Sequence, residues 1–153
     1  MAALALGATV LAACGSSSTG GTTAGTGSAA SATVDTKTMP GYGKVLDTAS
    51  GKPLYVFSAD PSQASKCTGS CATLWSPLAK TGAPTAGPGV NGSLLSSFTR
   101  ADGTIQVLYN EQALYTYTGS GLISAEGLTS HGGTWYLITP AGKPITKTTS
   151  GGY

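Results

Sequence analysis

Residues 97–118 read Ser97-Phe98-Thr99-Arg100-Ala101-Asp102-Gly103-Thr104-Ile105-Gln106-Val107-Leu108-Tyr109-Asn110-Glu111-Gln112-Ala113-Leu114-Tyr115-Thr116-Tyr117-Thr118. Two β-rich runs stand between turn-forming clusters here. Asp102-Gly103 is a strong hairpin signal. After it, Ile105, Val107 and Tyr109 alternate with Gln106 and Leu108, which is the period of a strand. Asn110-Glu111-Gln112 predicts the next turn, and Leu114-Tyr115-Thr116-Tyr117 the next strand. Farther on, Thr134-Trp135-Tyr136-Leu137-Ile138 reads as a strand closed by Pro140-Ala141-Gly142. No stretch carries a 3.6-residue apolar repeat over three turns. The expectation is an all-β domain, mainly an antiparallel meander of hairpins.

The same pattern occurs upstream. Lys44-Val45-Leu46-Asp47, a Gly51-Lys52-Pro53 turn and Leu54-Tyr55-Val56-Phe57 echo Gln106–Tyr109, a turn and Leu114–Tyr117, and Trp75 anticipates Trp135 at a similar spacing. The chain therefore reads as two copies of one β-rich repeat, about 43–78 and 104–140. A lone hairpin is marginal in water, so the copies are expected to pack as one small domain. Tyr55 and Phe57 share one strand face and Leu54 and Val56 the other, which predicts central strands. The aromatic residues are expected to be core, with a ligand-stacking platform at Tyr55, Phe57, Tyr115 and Tyr117 as the alternative.

Composition separates this domain from what precedes it. All the charged residues, 8 Lys and Arg and 6 Asp and Glu, lie between Asp35 and Lys147. Residues 15–34 are nearly all Gly, Ser, Thr and Ala, too poor in apolar surface to offset ordering entropy. Segment 14–37 is expected to be a flexible linker, with a reach of about 25 Å for about 20 residues. The β domain is expected over 38–148 and a short tail over 149–153.

Residues 1–13 form an uncharged apolar run of signal-peptide length, too short to span a bilayer. They end in Leu11-Ala12-Ala13-Cys14, which resembles a bacterial lipobox. That resemblance implies cleavage before Cys14 and acylation there, palmitate included. More than one acyl chain gives stable anchoring. The lipid bilayer is thus the first expected partner, and the expected location is the extracytoplasmic face of the cell membrane. A signal segment normally opens with positive charge, yet the first Lys is Lys37, which points to an N-terminally truncated signal.

Two further cysteines, Cys67 and Cys71, are an even pair in an exported domain and are expected to form a disulfide. A redox dithiol is disfavoured because the spacer has three residues rather than two. Zinc needs about four ligands, and His131 is the single histidine. No metal or cofactor is expected. His131 sits in a Ser-His-Gly-Gly loop and reads as an exposed loop residue. A net charge of +2 with no basic run argues against nucleic acid as a partner.

Four motifs carry a family resemblance. Tyr55-Val-Phe57-Ser-Ala-Asp60 resembles the Tyr-x-aromatic-x-x-Asp signature of bacterial secreted-repeat lipoproteins of unknown function. Cys67-Thr-Gly-Ser-Cys71 with Trp75-Ser-Pro77-Leu, Arg100-Ala-Asp102-Gly103-Thr-Ile-Gln106 and Gly132-Gly133-Thr-Trp135-Tyr136 resemble the family's other segments. The resemblance implies a β-rich exported lipoprotein built from tandem repeats, without an established activity. The second copy departs from it, with Ser120 at the Asp position, which leaves Asp60 either a ligand residue or a turn cap.

Three functions fit these residues. The first is a tethered, non-catalytic binding or scaffold module for an envelope protein or small ligand. The second is an accessory to surface electron transfer or metal handling. The third is a cell-wall hydrolase, which needs two of Asp60, Asp102 and Glu126 within about 5–9.5 Å of each other.

Overall fold

The computed structural model describes residues 33–120 and 125–146. The expected signal segment, Cys14, the linker up to residue 32 and the tail lie outside the described residues. The strands are β1 (Asp35–Met39), β2 (Gly43–Asp47), β3 (Leu54–Phe57), β4 (Trp75–Pro77), β5 (Leu95–Thr99), β6 (Ile105–Tyr109), β7 (Gln112–Ala113), β8 (Tyr115–Tyr117), β9 (Thr129–Ser130) and β10 (Gly133–Leu137). One short helix, α1 (Ser70–Leu74), precedes β4. Strand is the main secondary structure of the described residues, and every pairing between these named strands is antiparallel.

Five strands form the central sheet in the order β4-β8-β3-β10-β9, and β1-β2 and β5-β6-β7 form separate ribbons. The expected all-β, antiparallel fold of hairpins is present, but two of the strand mates differ. The mates predicted for β3 and β8 were β2 and β6. Instead β2 pairs with β1, and its ladder toward the β3 segment is reduced to the isolated Asp47–Pro53 bridge. Likewise β6 pairs with β5, and its hairpin with β7 ends after Leu108–Ala113. The chain then leaves each ribbon and enters the shared sheet, where β3 and β8 pair with each other. Both are apolar on two faces, and a strand buried on both sides gains more at the centre of a sheet than in an exposed ribbon.

The repeat is real, and it begins earlier than 43 and 104. Register Asp35↔Asp47 to Met39↔Gly43 in β1–β2 is matched by Leu95↔Tyr109 to Thr99↔Ile105 in β5–β6. Each copy therefore opens on a half-exposed strand, and the two are largely Thr, Ser, Lys and Asp; the Asp102-Gly103 turn announces β5, whereas nothing in the sequence pattern marks β1. The expected linker accordingly runs too far. Val34 is fully buried and β1 starts at Asp35, inside the segment assigned to 14–37.

The two copies are interleaved about a local twofold axis. Trp75↔Tyr117, Ser76↔Thr116 and Pro77↔Tyr115 in β4–β8 recur as Trp135↔Phe57, Tyr136↔Val56 and Leu137↔Tyr55 in β10–β3. Tyr55 pairs with its own counterpart, Tyr115, at the axis. The sheet's two faces carry two cores, as strand alternation requires. Tyr55, Phe57, Trp75, Tyr115, Trp135 and Leu137 fill one, and Leu54, Val56, Leu114 and Ile138 the other.

Candidate functional site

The aromatic residues singled out in the sequence meet at the axis. Trp75 and Trp135 stack with centroids 3.8 Å apart and planes 4° from parallel. Each then takes the same two neighbours. Tyr55 stands edge-on to Trp75 at 5.3 Å and Tyr115 edge-on to Trp135 at 5.1 Å. Tyr117 lies on Trp75 at 4.8 Å and Phe57 on Trp135 at 4.2 Å. Both Trp residues, Tyr55 and Tyr115 have no exposed surface, and Phe57 has almost none. That corrects the stacking-platform alternative for these residues, because a buried ring offers no face to a ligand. Tyr117 alone is half-buried. The Gly-Gly motif follows from the same packing: a Cβ on Gly133 would sit 2.6 Å from the Phe57 ring.

The other motifs converge on the loop between β3 and α1. Asp60 is half-buried and joins two segments. Its Oδ2 accepts from the Tyr115 hydroxyl at 2.5 Å and its Oδ1 from the Lys66 amide at 2.7 Å. The Tyr115 hydroxyl also meets Ser65 Oγ at 2.6 Å. Arg100, buried in the β5–β6 turn, donates through Nη1 to Ser65 Oγ at 2.8 Å and Gln106 Oε1 at 2.6 Å, and through Nη2 to the Cys67 carbonyl at 2.5 Å. Gln106, fully buried, donates on to the Leu114 carbonyl at 2.8 Å. Asp102 accepts from the Thr104 amide at 2.9 Å and faces Arg100 Nε at 3.7 Å.

This network crosses from one copy to the other. Asp60, Ser65 and Cys67 belong to the first, Arg100, Gln106 and Tyr115 to the second. Arg100 exists there because the second copy's turn, Arg100–Thr104, is longer than its counterpart Pro40–Tyr42. The Cys67–Cys71 disulfide is formed, with Cα atoms 5.1 Å apart, and it closes the loop that Arg100 grips. A second clip lies at Glu111, whose carboxylate accepts from Ser62 Oγ at 2.9 Å and Gln63 Nε2 at 3.3 Å. Glu111 and Asn110 make a two-residue hairpin loop at φ 63° and 48°, the left-handed geometry of a primed turn.

Asp60 is therefore more than the turn cap weighed above: it holds a cross-copy bond. Ser120, at the matching position, is exposed. Burial raises the Asp60 carboxyl above its usual range, opposed by the Tyr115 hydroxyl, the Lys66 amide and Arg100. Desolvation, then the Asp60 bond, lifts the Tyr115 phenol. The three carboxylates of the hydrolase reading have different partners. Asp60 holds Tyr115, Asp102 holds the Thr104 amide, and Glu126 accepts from the Leu137 amide. His131 is exposed at the β9–β10 turn at φ 52°. Among the described residues no three His, Cys, Asp or Glu side chains cluster as metal ligands.

What the network leaves open is a groove of about 500 Å3 beside it. One wall is the disulfide loop and α1 (Ser65, Thr68, Ala72); the other is β5 and its turn (Phe98, Arg100, Asp102). Sequence reasoning missed it. The Arg100 motif marked one wall, but only the interleaving of the copies brings the other opposite.

Glu126 sets a pH dependence. Burial lifts its carboxyl from 4.5 to about 7, opposed only by the Leu137 amide. A carboxyl raised by folding stabilises the native state while it is protonated. Its contribution is fully present below about pH 4.5 and is lost as pH climbs through about 7. Discounted for solvent screening, the loss is about 1–2 kcal/mol. Melting should be higher at pH 5 than at pH 8, and Glu126→Gln should remove most of that difference. An unchanged slope in the variant would place the titration elsewhere.

Comparison with known proteins adds one finding. The family model of a secreted repeat of unknown function matches residues 36–79, which is β1 through β4, the first copy of the duplicated unit. That similarity suggests an extracytoplasmic location. No curated protein and no solved structure matches the chain. No helix among the described residues is long and apolar enough to cross a membrane.

Proposed function

We propose that the chain is a lipid-tethered, non-catalytic binding or scaffold module on the extracytoplasmic face of the cell membrane, and that its recognition surface is the groove between the disulfide loop and the β5–β6 turn. The observation that carries this reading is where the polar chemistry goes. Asp60, Tyr115, Arg100 and Gln106 spend their hydrogen bonds on one another, on Ser65 and on backbone amide and carbonyl groups. Groups so held shape a surface; they are not poised to attack a substrate or move a proton to one. The groove they shape is stiffened by a disulfide on one side and a buried guanidinium on the other, and rigid walls reduce the entropy lost when a ligand binds. The match to a secreted repeat and the lipobox-like Leu11–Cys14 support the location.

The groove is tested with a photo-crosslinking side chain placed at Ala72 or Ala101 in the full chain, expressed in its membrane. Adducts are expected at these positions and not at Lys44, an exposed site on β2. Equal labelling at all three would remove the groove from the argument. For the tether, Cys14→Ser should shift the protein from the membrane fraction to the soluble one. Retention in the membrane would overturn the anchoring.

A further inference from the structure

The pairings β4–β8, β8–β3 and β3–β10 hold the central sheet, and every one of them joins one copy to the other. So do the Trp75–Trp135 stack, the Tyr115–Asp60 bond and the Arg100–Cys67 bond. Among the described residues, pairings inside a copy are confined to the ribbons, the β9–β10 hairpin and the isolated bridges Asp47–Pro53 and Ile138–Pro144. Neither half can cover its own tryptophan.

The covalent link between the halves is slight. Leu78 and Lys80, at the end of the first half, are bonded to the second: the Leu78 amide donates to the Leu114 carbonyl at 2.9 Å and the Lys80 amide to the Ile105 carbonyl at 3.0 Å. Thr85 and Gly87, at the start of the second half, are bonded to the first. The Thr33 amide donates to the Thr85 carbonyl at 3.0 Å, and the Gly87 amide to the Val34 carbonyl at 2.7 Å. Between them Thr81-Gly82-Ala83-Pro84 makes no hydrogen bond. Its first three residues are exposed, and Gly82 has φ 86°.

The geometry points to a second copy of this chain as a partner, engaged by exchange of halves about the hinge Thr81–Pro84. In the dimer, residues 33–80 of each chain complete residues 85–146 of the other. Every sheet pairing, ring contact and network bond is kept, because all of them are indifferent to which chain supplies the half. Only the hinge changes, and it has no hydrogen bond to lose. Exchange of this kind is a low-cost route to a dimer. Closure within one chain is favoured because it needs no second chain, and exchange by a short hinge and by concentration, which two-dimensional confinement on a membrane raises. Each groove would then have its disulfide wall from one chain and its Arg100 wall from the other. This goes beyond the proposed function, and it stands whatever occupies the groove.

The test uses the side chains of Thr33 and Thr85, whose Oγ1 atoms lie 3.4 Å apart across the boundary between halves. With Thr33→Cys and Thr85→Cys in one chain and Cys67–Cys71 left oxidised, a short bismaleimide links the introduced thiols within a monomer but between chains in the exchanged dimer. After unfolding and refolding at rising protein concentration, the denaturing-gel band should shift from the monomer to twice its mass. Concentrating already folded monomer should leave the band unmoved. Deleting Gly82, Ala83 and Pro84 should make the doubled band dominant at every concentration. Intrachain linkage alone at all refolding concentrations would overturn the proposal. Doubled bands that arise equally from folded monomer would also overturn it, because they report surface contact rather than exchange.

Discussion

Trp135→Ala should lower unfolding free energy by about 3–5 kcal/mol, read from denaturant titration of the domain. The ring is fully buried, stacks on Trp75 and Phe57, meets Tyr115 edge-on, and donates through Nε1 to Ser130 Oγ at 3.1 Å. No backbone shift fills that space, because the neighbours are themselves rings fixed by the sheet register. Against a typical stability of about 5–15 kcal/mol, a loss of this size leaves a large unfolded fraction on mild heating. Trp75→Ala should act similarly, and the double variant should lose less than the two losses added, since each removes the other's stacking partner. The phenylalanine variants separate the pair. Trp135→Phe breaks the Ser130 bond, whereas Trp75 Nε1 is buried without a partner, so Trp75→Phe removes an unsatisfied donor and should be the milder change. A Trp135→Ala loss below about 1 kcal/mol would mean that the stack is not the core of the fold.

The doubling of the repeat could be read from residues because its markers are large and apolar. Tyr55, Phe57 and Trp75 return as Tyr115, Tyr117 and Trp135, and side chains of that size have few places to go but inside. What the pattern could not convey is which strand meets which. Alternation says that β3 has two apolar faces, not that its neighbours come from the other copy. Turn chemistry suggested the nearest mates, β2 and β6, and local signals always favour the nearest mate. The crossed pairing is set by the twofold complementarity of whole halves. Strand β1 was lost for a related reason: it buries few side chains, so Asp35–Lys37 looked like the end of a linker. Helix α1 was missed because five residues around Cys71 show no helical period.

The site was visible as fragments. Cys67–Cys71 could be inferred from parity, and Asp60, Arg100 and Gln106 stood out within motifs. Their meeting could not, because Asp60 and Tyr115 are separated by a whole copy and by the choice of strand partner. The preference for core over platform at Tyr55, Phe57 and Tyr115 rested on ordinary packing logic, and their burial agrees with it. The motifs of this repeat are thus largely packing and cross-copy hydrogen bonds.

Arg100→Met is the sharper test of that conclusion. The buried Arg100 guanidinium donates to Ser65, Gln106 and the Cys67 carbonyl, and of these acceptors Gln106 and Cys67 are buried away from water. Removing the guanidinium leaves the Gln106 and Cys67 oxygens desolvated and unpaired, at a cost of about 1–3 kcal/mol for each buried acceptor. Methionine keeps much of the side chain's volume, so the loss reads out hydrogen bonds and charge rather than a cavity. Arg100→Lys should recover little. One ammonium cannot reproduce the planar fork that reaches Ser65 and Gln106 with one nitrogen and Cys67 with the other. Tyr115→Phe, which removes only the hydroxyl shared by Asp60 and Ser65, should cost about 1–3 kcal/mol. Combined with Arg100→Met it should show coupling of about 1 kcal/mol, because Ser65 Oγ serves both. Hydrogen exchange should localise the damage: the Lys66 and Cys67 amides, held by Asp60 and Ser65, should lose protection before the β3 and β8 amides. If Arg100→Met melts within a degree or two of the wild type and those amides stay protected, the disulfide alone fixes the groove wall, and the Arg-x-Asp-Gly-x-x-Gln motif is free to serve a ligand instead.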